Sequence, residues 1–470
     1  MKPKYIFYFT AYAIIMLALL CAFFPDEGVG VSRLTLHFPS LTKILNPQKE
    51  LDVAAYLAEQ DSMQAVMQTR QDSLDLYRSQ VENSDIRFWF PNDDDRFFDP
   101  LFAKMENARE SRRIIRVEHY GDSQIEMDRI SSRLRSNLQN LFGGGGPGYV
   151  PFSTIISSLS VSTYGSGSLQ RQSPFGDSTV VRANGNYGPY IQDFRVTGSA
   201  TSNIKAATHK SCDSRLRQFS QFRMLFCNRP GPLTVTFTDR DGGYTDEQAC
   251  PDQGVHSLDW HLDSATTSVR FAVSGTADIY GFLVDDGPGV AVDNIPMRGC
   301  SGQQFTLINA DQLAAAYSLM DVGLIILQFG GNSVPYIKGE KSLETYCNSL
   351  GNQIDRLREC CPDALILFIG PSDMSTRSGG ALQTYPYLPD IIEGLRTMAV
   401  AHGAAYWSIY DAMGGLNSMK AWVSQGLGSA DYIHFSQRGA DIMGDRLAQA
   451  FNNMYTIYKM RKEIIRVTGD

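Results

Sequence analysis

Hydrophobic and polar positions alternate along this chain in four distinct textures. Tyr5 to Phe24 is an uncharged run of 20 residues, long enough to cross a bilayer as a helix. From Gln48 to Glu82 the composition turns polar and helix-favouring, with a rough heptad through Val53, Tyr56, Met63, Met67, Leu74 and Tyr77 broken by Gln60 and Arg70. That pattern predicts a solvated stalk helix. Ile114–Val117 then reads as a short buried strand, and Ile125, Ile130, Leu134, Leu138 and Leu141 recur near the helical period. The stretch between them, His119-Tyr120-Gly121-Asp122-Ser123-Gln124, is where a strand turns into a helix.

From Ser153 to Asp286 helical periodicity disappears. Ser, Thr and Gly become frequent, and alternating runs such as Leu233–Thr238, Ser268–Ser274 and Ile279–Val284 are separated by turns such as Asp239–Gly243. This texture predicts an all-β unit, most simply a sandwich. From Val290 onward α/β alternation returns. Strands are predicted at Val290–Val292, Val322–Gln328, Ala364–Ile369 and Ala405–Ser408, and helices at Thr306–Met320, Leu343–Cys360, Leu388–His402 and Arg438–Tyr458. The expected organisation is a signal anchor at 1–26, a partly helical stalk at 27–105, one α/β domain at 106–152 plus 290–460, and a β insert at 153–289. A domain tolerates such an insertion because the ends of the inserted unit lie close together. The aromatic run Ile86–Pro91, followed by Asn92–Asp95, marks the boundary before the α/β domain and is expected to pack onto it.

Composition and charge narrow the functional classes. A net charge of -8, with no dense Lys/Arg stripe, argues against a nucleic-acid partner. Lys2 and Lys4 precede the apolar run and no small-x-small cleavage site follows it, which predicts an uncleaved anchor with the rest of the chain exported. Cys21 follows Ala18-Leu19-Leu20, without the small residue that precedes a lipidated cysteine. The 8 cysteines are too sparse for a disulfide scaffold, although one bridge among Cys212, Cys227 and Cys250 suits an oxidising compartment. His37, His119, His209, His256, His261 and His402 show no ligand spacing, and no metal or cofactor is expected.

The chemistry-bearing residues sit where strands end. Ser123 falls between a strand and a helix, so backbone N–H groups lie near its Oγ. Asp431 and His434, three residues apart in one turn before the last helix, supply a base and the carboxylate that orients it. Acyl transfer needs preorganised donors for a tetrahedral oxyanion. The Ser123 N–H, a backbone N–H at Gly302 and the side-chain amide of Asn332 are the candidates. Asp122, His119, Gly299 and Gly331 are candidates for supporting positions. Taken singly, a helix cap or ordinary turn chemistry accounts for each; the ordered set of Ser, Gly, Asn and Asp-x-x-His is harder to explain that way.

The set Gly121-Asp122-Ser123, Gly299-Cys300-Ser301-Gly302, Gly330-Gly331-Asn332 and Asp431-x-x-His434 resembles the first, second, third and fifth blocks of the SGNH (GDSL-type) hydrolase superfamily. The resemblance implies a flavodoxin-like three-layer α/β fold, here split by the β insert. It also implies a Ser123–His434–Asp431 triad and an oxyanion hole from Ser123, Gly302 and Asn332. No Gly-x-Ser-x-Gly elbow is present, which separates the chain from the α/β-hydrolases. Tyr410–Gly415, Ser418-Met419 and Trp422 ahead of Asp431 resemble the branch that contains periplasmic peptidoglycan O-acetylesterases, whose members carry a carbohydrate-binding-module-like β-sandwich after the first block. Gln124 stands where many relatives have Leu, and Ser333 where many have Asp. The implied activity is removal of O-acetyl groups from a cell-envelope or other polysaccharide through an acyl-enzyme. The implied location is the bacterial envelope, inner-membrane anchored with the catalytic domain in the periplasm, or cleaved and secreted. A polysaccharide O-acetyltransferase using the same triad and a glycan-binding scaffold built on the insert are the alternatives.

Overall fold

The structure is a computed structural model that describes residues 3–25, 28–31, 34–36, 38–40, 53–154, 156–176, 181, 184–206, 213–239 and 243–468. The expected helix start at Gln48, the side chains of Val53, Tyr56 and Met63, the centre of the Asp239–Gly243 turn, and Cys212 lie outside the described residues. Two compact units are present, Met1–Asp72 and Ser73–Asp470. In the first, the apolar run forms the helix Pro3–Phe23, with a mean hydropathy of 2.3 over its most apolar window and no buried residue. By length and composition it is able to cross a membrane. A two-stranded ribbon, Val29–Val31 with Leu34–Leu36, follows. The polar heptad stretch forms the helix Val53–Glu82, whose C-terminal residues Leu74 and Val81 are buried within the second unit.

The second unit is organised on a six-stranded sheet. Its order is Gly289–Pro296, Ile114–Gly121, Val322–Gln328, Leu365–Gly370, Ala405–Ser408 and Phe88–Trp89. The first five strands are parallel and the short Phe88–Trp89 edge strand is antiparallel. The parallel strands are near-continuous apolar runs, as burial on both faces demands. Helices Asp99–Asn107, Ser131–Phe142 and Gln437–Thr468 contribute to the core on one face. Helices Ala310–Ser318, Glu340–Cys360 and Leu388–Ala401 contribute to the core on the other. This is the three-layer α/β arrangement that the resemblance implies. The first of the parallel strands in chain order, Ile114–Gly121, lies between the second and third of them, so the strand order reverses there and a crevice opens beyond its carboxyl end. The boundary aromatics pack as expected: Phe88 lies 5.1 Å from Phe98 and 5.2 Å from Phe451 between ring centroids.

The strands from Gly148 to Asp285 form a second, antiparallel sheet. Its spine is a single strand, Ser268–Asp285, where two separate runs were expected. Gly275 and Gly281, with φ of 130° and 144°, let the chain continue while its partners change. Leu233–Asp239 pairs with its first half and Phe219–Asn228 with its second, on the same side. The two branches fold over a shared aromatic core, with Phe222 5.1 Å and Trp260 5.8 Å from Phe237. Trp260 is thus core packing. Cys227 and Cys250 are both buried, and no disulfide joins the two.

Buried charge joins the two sheets. Arg116 in the central strand donates to Asp293 on the neighbouring strand, at 2.6 and 2.8 Å, and to Asp285 at the end of the spine strand, at 2.8 Å. All three are nearly excluded from solvent. Burial holds the nearby Glu118 carboxyl well above its ordinary range, with Asp293 adding to the effect.

Candidate active site

The turn that bears Ser123 begins as the sequence predicts and then departs from it. The strand ends at Gly121, and Ser123 opens a short helical turn capped by Asp122, whose Oδ1 accepts the Gln124 N–H at 2.9 Å. The predicted helix from Ile125 starts instead at Ser131. Between them Met127, Asp128 and Ile130 hold φ of 62°, 63° and 61°, conformations that cost non-glycine residues roughly 1–3 kcal/mol each. The fold over-determines them. Asp128 is buried against Arg135 at 2.6 and 3.0 Å, and Ile130 is wholly in the core. His119 is also buried, between Gln328 at 3.0 Å and Ser131 at 2.9 Å, and burial lowers its pKa to about 4. It is a neutral structural histidine.

The Asp431–His434 turn is shaped by its own carboxylate. Tyr432 takes φ 59°, and Asp431 Oδ1 accepts the N–H groups of Ile433 at 2.9 Å and His434 at 3.1 Å. The other oxygen, Oδ2, lies 2.7 Å from His434 Nδ1. Burial acts to raise the Asp431 pKa but is outweighed by hydrogen bonds from the His434 ring and the two backbone N–H groups, so it stays ionised below its ordinary value. With Nδ1–H donated to Asp431, Nε2 presents its lone pair to Ser123 Oγ, 2.8 Å away. Residues separated by 308 and 311 positions thereby form one hydrogen-bonded chain.

The remaining block residues are placed around this chain. Ser123, Asp122, Gly331, Asn332 and His434 line a cavity of about 210 Å³, with Pro335 and the exposed Tyr336 at its edge. Asn332 Nδ2 donates to the Cys300 carbonyl at 3.0 Å and to Asp122 Oδ2 at 3.3 Å. Gly302 is buried at φ 83°, and a Cβ there would come within 2.8 Å of Phe329, which itself lines the cavity. Because Ser123 is the first residue of its turn, its N–H has no partner inside that turn. Asp122 is buried, and that burial raises its pKa to about 6. Gly331 lies beside Asp122, whereas Gly299 is exposed and lines a different cavity. No group of three His, Cys, Asp or Glu side chains converges as a metal site among the described residues.

Two further side chains hold the site together. Gln124 Nε2 donates to the Ile433 carbonyl at 2.9 Å and to Ser372 at 3.3 Å, while its Oε1 accepts the Phe435 N–H at 3.3 Å. The side chain next to Ser123 therefore grips the backbone on both sides of His434. Arg129 adds a second strap, donating to the Ser123 carbonyl at 2.6 Å and the Phe435 carbonyl at 3.1 Å. Gln124 is visible in the sequence as a departure from Leu. Arg129 carries no sequence signal, because its partner lies 306 residues away.

The profile of the GDSL-like Lipase/Acylhydrolase family matches residues 263–442. The chain carries a GDSL-like acylhydrolase domain. The matched range holds Gly302, Asn332, Asp431 and His434, and the fold brings Ser123 to them from outside it. This acylhydrolase has the fold of a solved peptidoglycan O-acetylesterase, with a TM-score of 0.61 at 20% identity over 75% of this chain and 95% of that one. A family two carbohydrate esterase from Clostridium thermocellum, solved with cellohexaose, aligns with a TM-score of 0.27 at 10% identity over 62% of this chain and 99% of that one. No curated protein matches the sequence. The chain is an enzyme of the acylhydrolase class.

Proposed function

We propose that the acylhydrolase removes O-acetyl groups from a cell-envelope polysaccharide, with Ser123, His434 and Asp431 as its catalytic triad. The observation that carries this reading is the chain of 2.8 and 2.7 Å hydrogen bonds from Ser123 through His434 to Asp431, at a cavity of only about 210 Å³. That volume is below the roughly 300–1,000 Å³ of pockets for larger ligands, and favours a short acyl group over a long chain.

In this reading His434 Nε2 takes the Ser123 proton as Oγ attacks the acetyl carbonyl. Asp431 steadies the imidazolium that forms. The Ser123 and Gly302 N–H groups and the Asn332 amide receive the oxyanion, Asn332 releasing its longer bond to Asp122. His434 returns the proton to the departing sugar hydroxyl, and water, activated by the same imidazole, releases acetate. The helix Pro3–Phe23 anchors the chain to the envelope membrane with the catalytic residues outside the cytoplasm. Residues 153–289 act as an insert that presents the polysaccharide.

The test follows acetate release by the full chain in detergent micelles. Peptidoglycan, the substrate named for the solved esterase of the same fold, is the first O-acetylated polymer to try, with acetylated xylan beside it. Release that disappears in Ser123→Ala supports the reading. Ser123-dependent transfer of acetyl to a glycan hydroxyl, with no free acetate, replaces it with a transferase. Release that persists in Ser123→Ala refutes the triad.

A further inference from the structure

A second, larger cavity of about 580 Å³ lies where the two sheets of the Ser73–Asp470 unit meet. Its walls come from both parts: Arg171 and Gln192 from the antiparallel strands and their connection, Asn294 and Pro296 from the central sheet. Met127, four residues beyond Ser123, and Arg298-Gly299, leading into Gly302, also line it. The cavity therefore abuts the loops that bear the nucleophile and the oxyanion glycine, while sharing no wall residue with the smaller cavity at Ser123.

The charge in this cavity is unevenly compensated. Three arginines line it. Arg135 is forked against Asp128 at 2.6 and 3.0 Å, and Arg298 pairs with Glu126. Arg171 has a neutral acceptor instead. Its Nε and one terminal nitrogen both donate to Gln192 Oε1, at 3.2 and 3.0 Å, and its plane sits 5.7 Å from the Phe175 ring centroid. Burial pushes the Arg171 pKa down, and among the described residues no carboxylate lies beside it. A guanidinium has five donors, and two serve Gln192. The rest remain for a planar anion, with Tyr149 and Phe175 as apolar wall beside it.

We infer that this cavity is a glycan subsite for a carboxylate-bearing sugar unit, with Arg171 as its counter-ion. The inference rests on the polysaccharide reading of the active site and narrows it: the polymer is acidic, and one of its carboxylates is bound on the far side of the nucleophile and oxyanion loops. One bidentate pair of bonds to a carboxylate supplies both a charge partner and an orientation. A neutral sugar satisfies neither.

The test is calorimetric titration of the full chain, in detergent micelles, with a galacturonate trisaccharide and with the neutral galactose trisaccharide of the same linkage. The uronate is expected to bind and the neutral sugar to bind about tenfold or more weakly, the scale of one lost charge-assisted contact. Arg171→Gln should remove that preference, and Arg171→Lys should keep part of it as a point charge without the fork. Gln192→Glu gives Arg171 an internal carboxylate, so it should abolish uronate binding while the chain stays folded. That variant decides the matter if Arg171→Gln fails to fold. Equal binding of the two sugars, no binding of the uronate, or uronate binding untouched by Gln192→Glu overturns the proposal. Tighter binding of a short acidic peptide than of the uronate overturns the sugar assignment. The probe carries no acetyl ester, so a failed subsite and a failed esterase reading give different results.

Discussion

Gln124→Leu removes the side chain that grips the backbone on either side of His434. The substitution deletes the bonds to the Ile433 carbonyl and the Phe435 N–H, and the weaker one to Ser372. Each half-buried backbone group left without its partner costs about 1 kcal/mol. The loss bears on where the turn sits more than on whether the chain folds. If about 2 kcal/mol of preference for the bonded turn disappears, the fraction of molecules with Nε2 at hydrogen-bond distance from Ser123 falls by up to roughly 30-fold. Arg129 still ties the Ser123 and Phe435 carbonyls together, so the expected loss is nearer tenfold. The assay is hydrolysis of 4-nitrophenyl acetate by the full chain. kcat should fall about tenfold with KM within about twofold, because the lost bonds position the His434 turn. Gln124→Glu, which keeps the acceptor for Phe435 N–H and turns a carboxylate toward the Ile433 carbonyl, should be no better than Leu. Wild-type kcat in Gln124→Leu, or a fall matched by loss of overall stability, refutes the clamp.

Three other outcomes follow from buried groups. The Asp122 pKa is raised to about 6 from 3.8, so the folded state holds its proton longer than the unfolded one. Stability from this group is full below about pH 4, is lost as pH rises to about 6, and amounts to about 3 kcal/mol. Asp122→Asn should therefore gain on wild type in denaturant melts across that window and hold a constant lead above it. Arg116→Met leaves Asp285 and Asp293 buried without their cation and should cost about 3–5 kcal/mol in the same melts. Gly302→Ala and Gly299→Ala both place a side chain at positive φ, but only the first meets Phe329 at 2.8 Å. Gly302→Ala should be the less stable of the two by about 1–3 kcal/mol and should lose ester hydrolysis.

The layered fold was legible because it rests on periodicity. The strands Val322–Gln328 and Ala405–Ser408 match the reading residue for residue. The helix Gln437–Thr468 runs ten residues beyond the predicted end at Tyr458, with no glycine or proline between Tyr458 and Thr468 to stop it. What escaped the sequence depends on distant partners. The turn at Met127, Asp128 and Ile130 breaks a helical pattern because the buried Asp128–Arg135 pair outweighs local preference. The hairpin Ser375–Ser378 with Ala381–Thr384 was not read. It is short and polar, and is held by Asp373, which accepts from Thr384 at 2.7 Å and from the Met419 N–H at 2.8 Å. The block residues are read by type and order, and Gln124 stands out in the sequence only as a departure from Leu. The bonds that Gln124 and Arg129 make are visible only once residues 306 to 311 positions apart are neighbours.

The central claim is that Ser123 is acylated. Acid quenching of the full chain during turnover of 4-nitrophenyl acetate, followed by peptide mass spectrometry, tests it directly. The account predicts one acetyl group on the peptide containing Ser123, absent in Ser123→Ala and strongly reduced in His434→Ala, which lacks the base that takes the serine proton. Turnover with acetyl on another residue, or with no covalent acetyl in any quench, would contradict it.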